Sequence, residues 1–347
     1  MGAAANLLAR NAGDLQVTAL TAATTLSIEG ELPELGGTTA WLNSEPLTPV
    51  GLRGKVVVVQ FCTFSCINWL RTVPYVRAWA EKYRDNGLVV IGAHSPEFPF
   101  EHDVEKIRSA LEAMNVGYPI AVDNDFAVWR AFDNAYWPAL YFVDAQGRIR
   151  HHHFGEEEYQ QSERVIQQLL AEAGNADVDA DLVSVEPSGV YLAADWNTLR
   201  SPETYVGYAR ATGFASPAGL EPDRSQIYNE PSRLGLNQWA LSGEWTVGRQ
   251  ITTLNQPGGR ILHRFHGRDV NLVLGTQADG GLTHFRVLID GEPPDGANGL
   301  DVDERGNGTV SEERLYQLIR QNGRITDRTF EITFVDAGAQ AYVFTFG

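Results

Sequence analysis

The chain has 347 residues, 43% hydrophobic and 20% charged, with a mean hydropathy of -0.22. This composition excludes collagenous, coiled-coil and disordered chains and leaves room for two domains of ~100–200 residues. Its 27 Lys and Arg against 44 Asp and Glu give a formal charge of -17, so nucleic acid is excluded as a partner gripped through its phosphates, and no apolar run approaches the ~20 residues of a membrane-spanning helix.

The opening Met1-Gly2-Ala3-Ala4-Ala5-Asn6 has no basic region leading into an apolar stretch, so no signal peptide is read there. On that reading the protein is intracellular, or a leader or membrane portion has been left off. Residues 56–61 form a continuous, mostly β-branched run, the pattern of a strand covered on both faces. Leu70, Val73, Val76, Trp79, Ala80 and Tyr83 then recur at three- and four-residue spacing, which predicts a helix over 67–84. A second buried strand follows at 88–92 and a second helix at 104–114. Residues 141–150 read as two short strands around Ala145-Gln146-Gly147, and 163–172 as a closing helix. Strand, helix, strand, helix, hairpin, helix is an α/β plan.

Residues 174–185 are small and acidic, and all three lysines (Lys55, Lys82, Lys106) precede them. They predict a solvated linker between domains at 1–173 and 186–347, and the first site of limited proteolysis. Beyond it the period becomes two. Phe285, Val287 and Ile289, then Phe330, Ile332 and Phe334, then Tyr342, Phe344 and Phe346 alternate with small or polar residues between turns such as Asp279-Gly280-Gly281 and Asp290-Gly291. Short strands with polar turns predict an all-β sandwich or jelly roll.

The two cysteines, Cys62 and Cys66, are too few for a disulfide framework and too close together to ignore. Cys66 stands where the first strand has ended and the helix begins. There the helix dipole and unpaired N–H groups favour a thiolate, the nucleophile of disulfide exchange. Cys66 is therefore expected to alkylate below the ~8.5 of a free cysteine and faster than Cys62.

The motif Phe61-Cys62-Thr63-Phe64-Ser65-Cys66-Ile67-Asn68-Trp69, with Ile91-Gly92-Ala93-His94-Ser95-Pro96-Glu97-Phe98 and Tyr136-Trp137-Pro138-Ala139, resembles the DipZ branch of the TlpA-like thioredoxins. The stretch from Ser201-Pro202-Glu203-Thr204-Tyr205 to Ala341-Tyr342-Val343-Phe344 resembles the carbohydrate-binding-module-like jelly roll that ends DipZ proteins. The resemblance implies an extracytoplasmic thiol–disulfide oxidoreductase without a cofactor, acting on protein or small-molecule thiols and disulfides. It also implies a membrane electron-transfer protein or domain as partner, and a glycan as a ligand of the β-domain. Cys66 would be the nucleophile, and Trp137 with a cis Pro138 would position the substrate peptide.

One departure stands out: Trp69 occupies the place of the resolving cysteine, where it would face substrate. Cys62 is either the redox partner of Cys66 or a buried spectator, because strand end and helix start lie within disulfide reach only for some turn geometries. The rival reading is a non-catalytic thioredoxin-fold protein that binds glycans or partner proteins. His94, Glu97 and Glu156 are candidates for proton transfer near the thiol. His151-His152-His153 reads as an edge strand rather than a metal site, since adjacent strand residues face opposite ways. Residues 301–308 partly match a calcium-loop spacing, but Arg305 stands at a ligand position, so a polar turn is expected. Trp196, Tyr208, Tyr228, Trp239 and Trp245 either form a sugar-stacking face or fill the core.

Overall fold

Val56–Cys62 has no exposed residue, because helices cover both faces of the sheet to which it is central. The computed structural model describes residues 25–175, 177–277 and 281–347; the N-terminal hexapeptide and the Asp279-Gly280 part of a turn read above lie outside them. The first sheet contains β1 (Gly30–Glu31), β2 (Ala40–Leu42), β3 (Val56–Cys62), β4 (Leu88–His94), β5 (Ile120–Val122), β6 (Ala139–Val143) and β7 (Arg148–Phe154). Their order is β1-β7-β6-β3-β4-β5-β2, parallel across β3, β4 and β5 and antiparallel elsewhere. Helices α1 (Ile67–Lys82), α2 (Val104–Ala113), α3 (Ala127–Ala131) and α4 (Tyr159–Glu172) connect and flank these strands.

Alternation along β3 divides its side chains between two cores. Val56, Val58 and Cys62 join Trp69, Val73, Val76 and Trp79 of α1, whereas Val57, Val59 and Phe61 join Val128 and Phe132. The fold is the thioredoxin-like α/β arrangement the sequence predicts. Helix α1 stops two residues short of the predicted 84, and the hairpin strands are β6 and β7. Strands β1, β2, β5 and helix α3 are too short to carry a readable period.

The acidic stretch after α4 is tethered to the helices by its backbone. Lys82 donates to the Asp181 carbonyl, and Gln167 donates to the carbonyls of Asp179 and Asp181 at 3.1 and 3.2 Å. Buried Glu163 accepts from Val183 N at 2.9 Å, Tyr83 Oη at 2.6 Å and Trp79 Nε1 at 3.3 Å. The acidic composition reported exposed side chains; the backbone carbonyls and the apolar Val178 and Val183 face the helices. Glu163→Gln replaces one of these acceptors with a donor. It is expected to lower stability by about 1–2 kcal/mol in denaturant titrations and to speed proteolytic cleavage between 179 and 186.

The second part is all-β: β8 (Thr204–Tyr205), β9 (Ser225–Tyr228), β10 (Trp239–Val247), β11 (Thr252–Leu254), β12 (Arg260–Phe265), β13 (Asp269–Thr276), β14 (Thr283–Ile289), β15 (Asn307–Val310), β16 (Arg314–Arg320), β17 (Arg328–Phe334) and β18 (Ala339–Phe346). They form one curled sheet around a core that includes Trp239, Trp245, Phe285, Phe330 and Phe344. The curl turns on β10, whose first half pairs with β12 and whose second half pairs with β9 and β11. Gly243 stands between the halves at φ 99°, and a side chain there would meet Gly259 Cα at 2.9 Å.

The two parts pack on one another through aromatic and charged contacts. Tyr342 of β18 lies 5.1 Å from Phe98 and 5.0 Å from Phe100 between ring centroids. Lys106 of α2 pairs with Glu313 at 2.8 Å, and Val273, Leu315, Tyr342 and Val343 belong to the same core cluster as α1. This packing brings the second part against the loop that follows β4.

Candidate active site

Three strand ends meet at one edge of the first sheet. Cys62 is in register with His94 on β4, and the Phe61–Ala139 pair puts Pro138 beside Cys62 on the other side. The chain then turns sharply, with Cys66 N donating to the Thr63 carbonyl at 3.2 Å, and α1 starts with Cys66 as its N-cap. The turn is buried up to Ser65, and Cys66 is half-buried. The N–H groups of Asn68 and Trp69, unpaired at the helix start, donate toward its sulfur.

Those donors do not win. Burial, followed by the charges of Glu97 and Glu203, pushes the Cys66 thiol well above the ordinary cysteine range, against the pull of the Trp69 and Asn68 amides. The expected thiolate at neutral pH is corrected accordingly. Cys62 is fully buried, and burial with the charge of Glu101 pushes its thiol higher too.

Glu101 escaped the sequence reading. Its Oε1 accepts from Ser65 Oγ at 2.6 Å and Ser65 N at 3.3 Å, and its Oε2 from Glu97 N at 2.6 Å and Phe98 N at 2.9 Å. One buried carboxylate thus fastens the residue before Cys66 to the loop that carries Glu97. Burial raises its pKa, with the Ser65 hydrogen bond opposing. The available signal was a carboxylate beside the apolar Phe98-Pro99-Phe100.

The remaining candidates divide. Trp137 is half-buried, donates Nε1 to the Ser95 carbonyl at 3.0 Å and packs 4.3 Å from the Trp129 ring; its bond to Pro138 is cis, as the resemblance implies. Trp69 is fully buried, so its expected contact with substrate is corrected to a packing role, and its Nε1 meets no acceptor among the described residues. His94 is also fully buried, stacks on Phe64 at 5.8 Å and is pushed down to about 3 by desolvation. Burial thus favours its neutral form, against the proton-transfer role expected of it. The charge of Glu97 is felt at the thiol, which it pushes upward, whereas Glu156 is held at 2.9 Å by Arg71 of α1.

The weaker signals resolve as local structure. His152 pairs with Glu29 at 2.7 Å and His153 with Glu158 at 3.4 Å, on the part of β7 beyond its pairing with β1. Asp303 accepts from Arg305 N and Asn307 N, and Asp301 is held by Arg314 at 2.7 Å, which makes residues 301–308 a braced turn. Tyr228, Trp239 and Trp245 are buried in the core, so these three form no sugar-stacking face. Beside Phe64 and Leu70, a cavity of about 500 Å³ opens between α1, α2 and β16, with Met114, Tyr191, Leu300 and Leu315 in its walls.

Residues 34–152 match the AhpC/TSA family, and 201–347 match the family described as thioredoxin like C-terminal domain. Protein DipZ of Mycobacterium bovis is 32% identical over 322 residues, 92% of this chain and 43% of DipZ. The chain thus spans less than half the length of that relative. Thiol-disulfide oxidoreductase YkuV of Bacillus subtilis is 32% identical over 147 residues, 42% of this chain and 99% of YkuV. A solved thioredoxin-like protein in the oxidized form is 35% identical, covering 41% of this chain and 96% of its own, with a TM-score of 0.39.

Proposed function

Since the chain belongs to the DipZ-like thioredoxin-fold thiol–disulfide oxidoreductases, we propose that Cys66 is its nucleophile and that it exchanges disulfides outside the cytoplasm. The observation that carries this reading is the place of Cys66, a half-buried residue at the start of α1 whose sulfur receives the Asn68 and Trp69 amides. Once deprotonated, it attacks a substrate disulfide. One sulfur joins Cys66 in a mixed disulfide, and the other leaves as a thiol after taking a proton. Trp137 and Pro138 hold the substrate chain.

Cys62 is assigned as a spectator. It is fully buried, with its sulfur on the side where a Gly92 Cβ would approach to 3.5 Å. An external thiol then resolves the mixed disulfide. Residues 1–173 carry this chemistry, with 174–185 connecting them to a binding domain at 186–347. A membrane electron-transfer protein is the proposed partner and glycan the proposed ligand of the β-domain.

The test is reduction of insulin disulfides by the whole chain with glutathione as external thiol. Turnover that needs Cys66 supports the reading. Binding without turnover favours the non-catalytic reading, which the buried Trp69 at the resolving position also suits. The raised thiol pKa adds an expected result. Because the thiolate forms only as pH rises through that pKa, Cys66 alkylation by iodoacetamide is slower at pH 7 than that of a free cysteine, whose pKa is ~8.5. It is expected to keep climbing above pH 9, still ahead of buried Cys62. A plateau below pH 8 contradicts this.

A further inference from the structure

The cavity of about 500 Å³ between α1, α2 and β16 draws its walls from both domains. Phe64 and Leu70 enter from the turn before α1 and from α1 itself, Ala110 and Met114 from the end of α2, and Leu300 and Leu315 from the second domain. Cys66, Trp137 and Pro138 are not among the lining residues, so this space is distinct from the proposed exchange site. Phe64, Leu70, Met114 and Leu315 are buried, while Leu300 is 65% exposed and marks the mouth. Small-molecule sites have volumes of ~300–1,000 Å³, mostly apolar walls and a preference for domain junctions. The space is also roughly three times the ~150 Å³ of an apolar cavity that binds benzene.

The charged groups around the cavity are satisfied by one another. Lys106 pairs with Glu313 at 2.8 Å, Arg314 with Asp301 at 2.7 Å and Glu312 at 3.4 Å, and Glu105 with Arg108 at 3.4 Å. A charged ligand would therefore bury its charge without a free counter-ion. An anion would also meet the carboxylates of Glu105, Asp301, Glu312 and Glu313 against only Lys106 and Arg314. Neutral molecules remain. One polar group in the wall has no such partner. Gln317 lies two residues beyond Leu315 on β16, so its side chain faces the same way. The residue is 2% exposed, and its side-chain amide has no hydrogen-bond partner among the described residues, whereas its main-chain N–H and carbonyl are both bonded to Asp301. An amide left so opposes folding until a ligand bonds to it.

We propose that this cavity is a binding site for a neutral, mostly apolar molecule of about two or three rings, anchored by one hydrogen-bonding group on the Gln317 amide. The inference does not depend on Cys66 being the nucleophile. The ligand touches α1 and α2 on one side and β16 on the other, so its binding fastens the two domains together and adds to the stability of the folded chain.

The test uses two fluorescent probes with the same ring system on the whole chain: neutral N-phenyl-naphthylamine, and anilinonaphthalene sulfonate, which carries one anion. The neutral probe is expected to give a saturable rise in fluorescence and a higher urea midpoint, and the sulfonate to bind at least about tenfold more weakly. Ala110→Phe puts a ring into the cavity from a half-buried position on α2 and should abolish binding of the neutral probe. Gln317→Leu is close in size and should weaken it about five- to tenfold, the worth of one hydrogen bond. A native chain with no saturable binding overturns the site, and so does an Ala110→Phe chain that binds as the native one does. A sulfonate held as tightly as the neutral probe overturns the assigned ligand chemistry. Neither probe needs turnover, so these outcomes are separate from the nucleophile assignment, which fails only if Cys66→Ser retains insulin reduction.

Discussion

Cys66→Ser is expected to bring disulfide exchange down to the uncatalysed background, a loss on the order of a thousandfold or more, while Cys62→Ser stays within about twofold of the native rate. A serine hydroxyl has nearly the shape of the thiol but forms no mixed disulfide, so the first loss is chemical and the fold should survive. A thermal melt of each variant checks that. The asymmetry follows from access: Cys66 is half-buried at the helix start, whereas Cys62 is sealed beneath α1 with its sulfur close to Gly92. Initial rates of insulin reduction at saturating glutathione measure both variants. A large loss in Cys62→Ser would make Cys62 the resolving thiol and require the turn at 63–66 to open during catalysis. Retained exchange in Cys66→Ser would remove the nucleophile assignment altogether.

The position of Cys66 could be read from the residues alone, but its charge state could not. Strand β3 announces itself because both faces are covered and every residue but Gln60 is apolar, and α1 because its apolar positions keep the helical period. Their junction is therefore visible, and with it the amides of Asn68 and Trp69. What raises the thiol pKa is burial together with Glu97 and Glu203, and Glu203 arrives from β8's approach, through packing of the two domains. No local period encodes such a contact. Residues 174–185 show a different limit. Asp179 and Asp181 signalled solvent, while the carbonyls of the same residues bind Lys82 and Gln167. His94 beside the thiol suggested proton transfer, but proximity along β4 says nothing of hydration, and full burial favours the neutral imidazole.

Trp69→Cys sets loss of packing against gain of chemistry, and the two are measured separately. Trp69 is fully buried among residues of α1 and β3, and deleting so large a side chain costs about 3–5 kcal/mol when replaced by alanine. Part of that cost is offset, because the Trp69 Nε1 is buried without an acceptor, and such a group opposes folding by about 1–3 kcal/mol. A net loss of about 2–3 kcal/mol is expected, visible as a lower urea midpoint with the fold retained below it. Positions 66 and 69 lie three residues apart on the same face of the first helical turn, so the introduced thiol stands next to the mixed disulfide. Attack from there is intramolecular, so release of the substrate no longer waits for an external thiol, and glutathione is needed only to reduce the enzyme disulfide that results. Insulin reduction at low glutathione is therefore expected to rise at least about tenfold, with peptide mapping after mild oxidation showing a disulfide between Cys66 and the introduced thiol. A pairing of the introduced thiol with Cys62 instead would mean that the sulfurs beneath α1 are nearer each other than either is to Cys66. A correctly paired variant with no gain in rate would mean that resolution is not the slow step, and that formation of the Cys66 thiolate limits turnover.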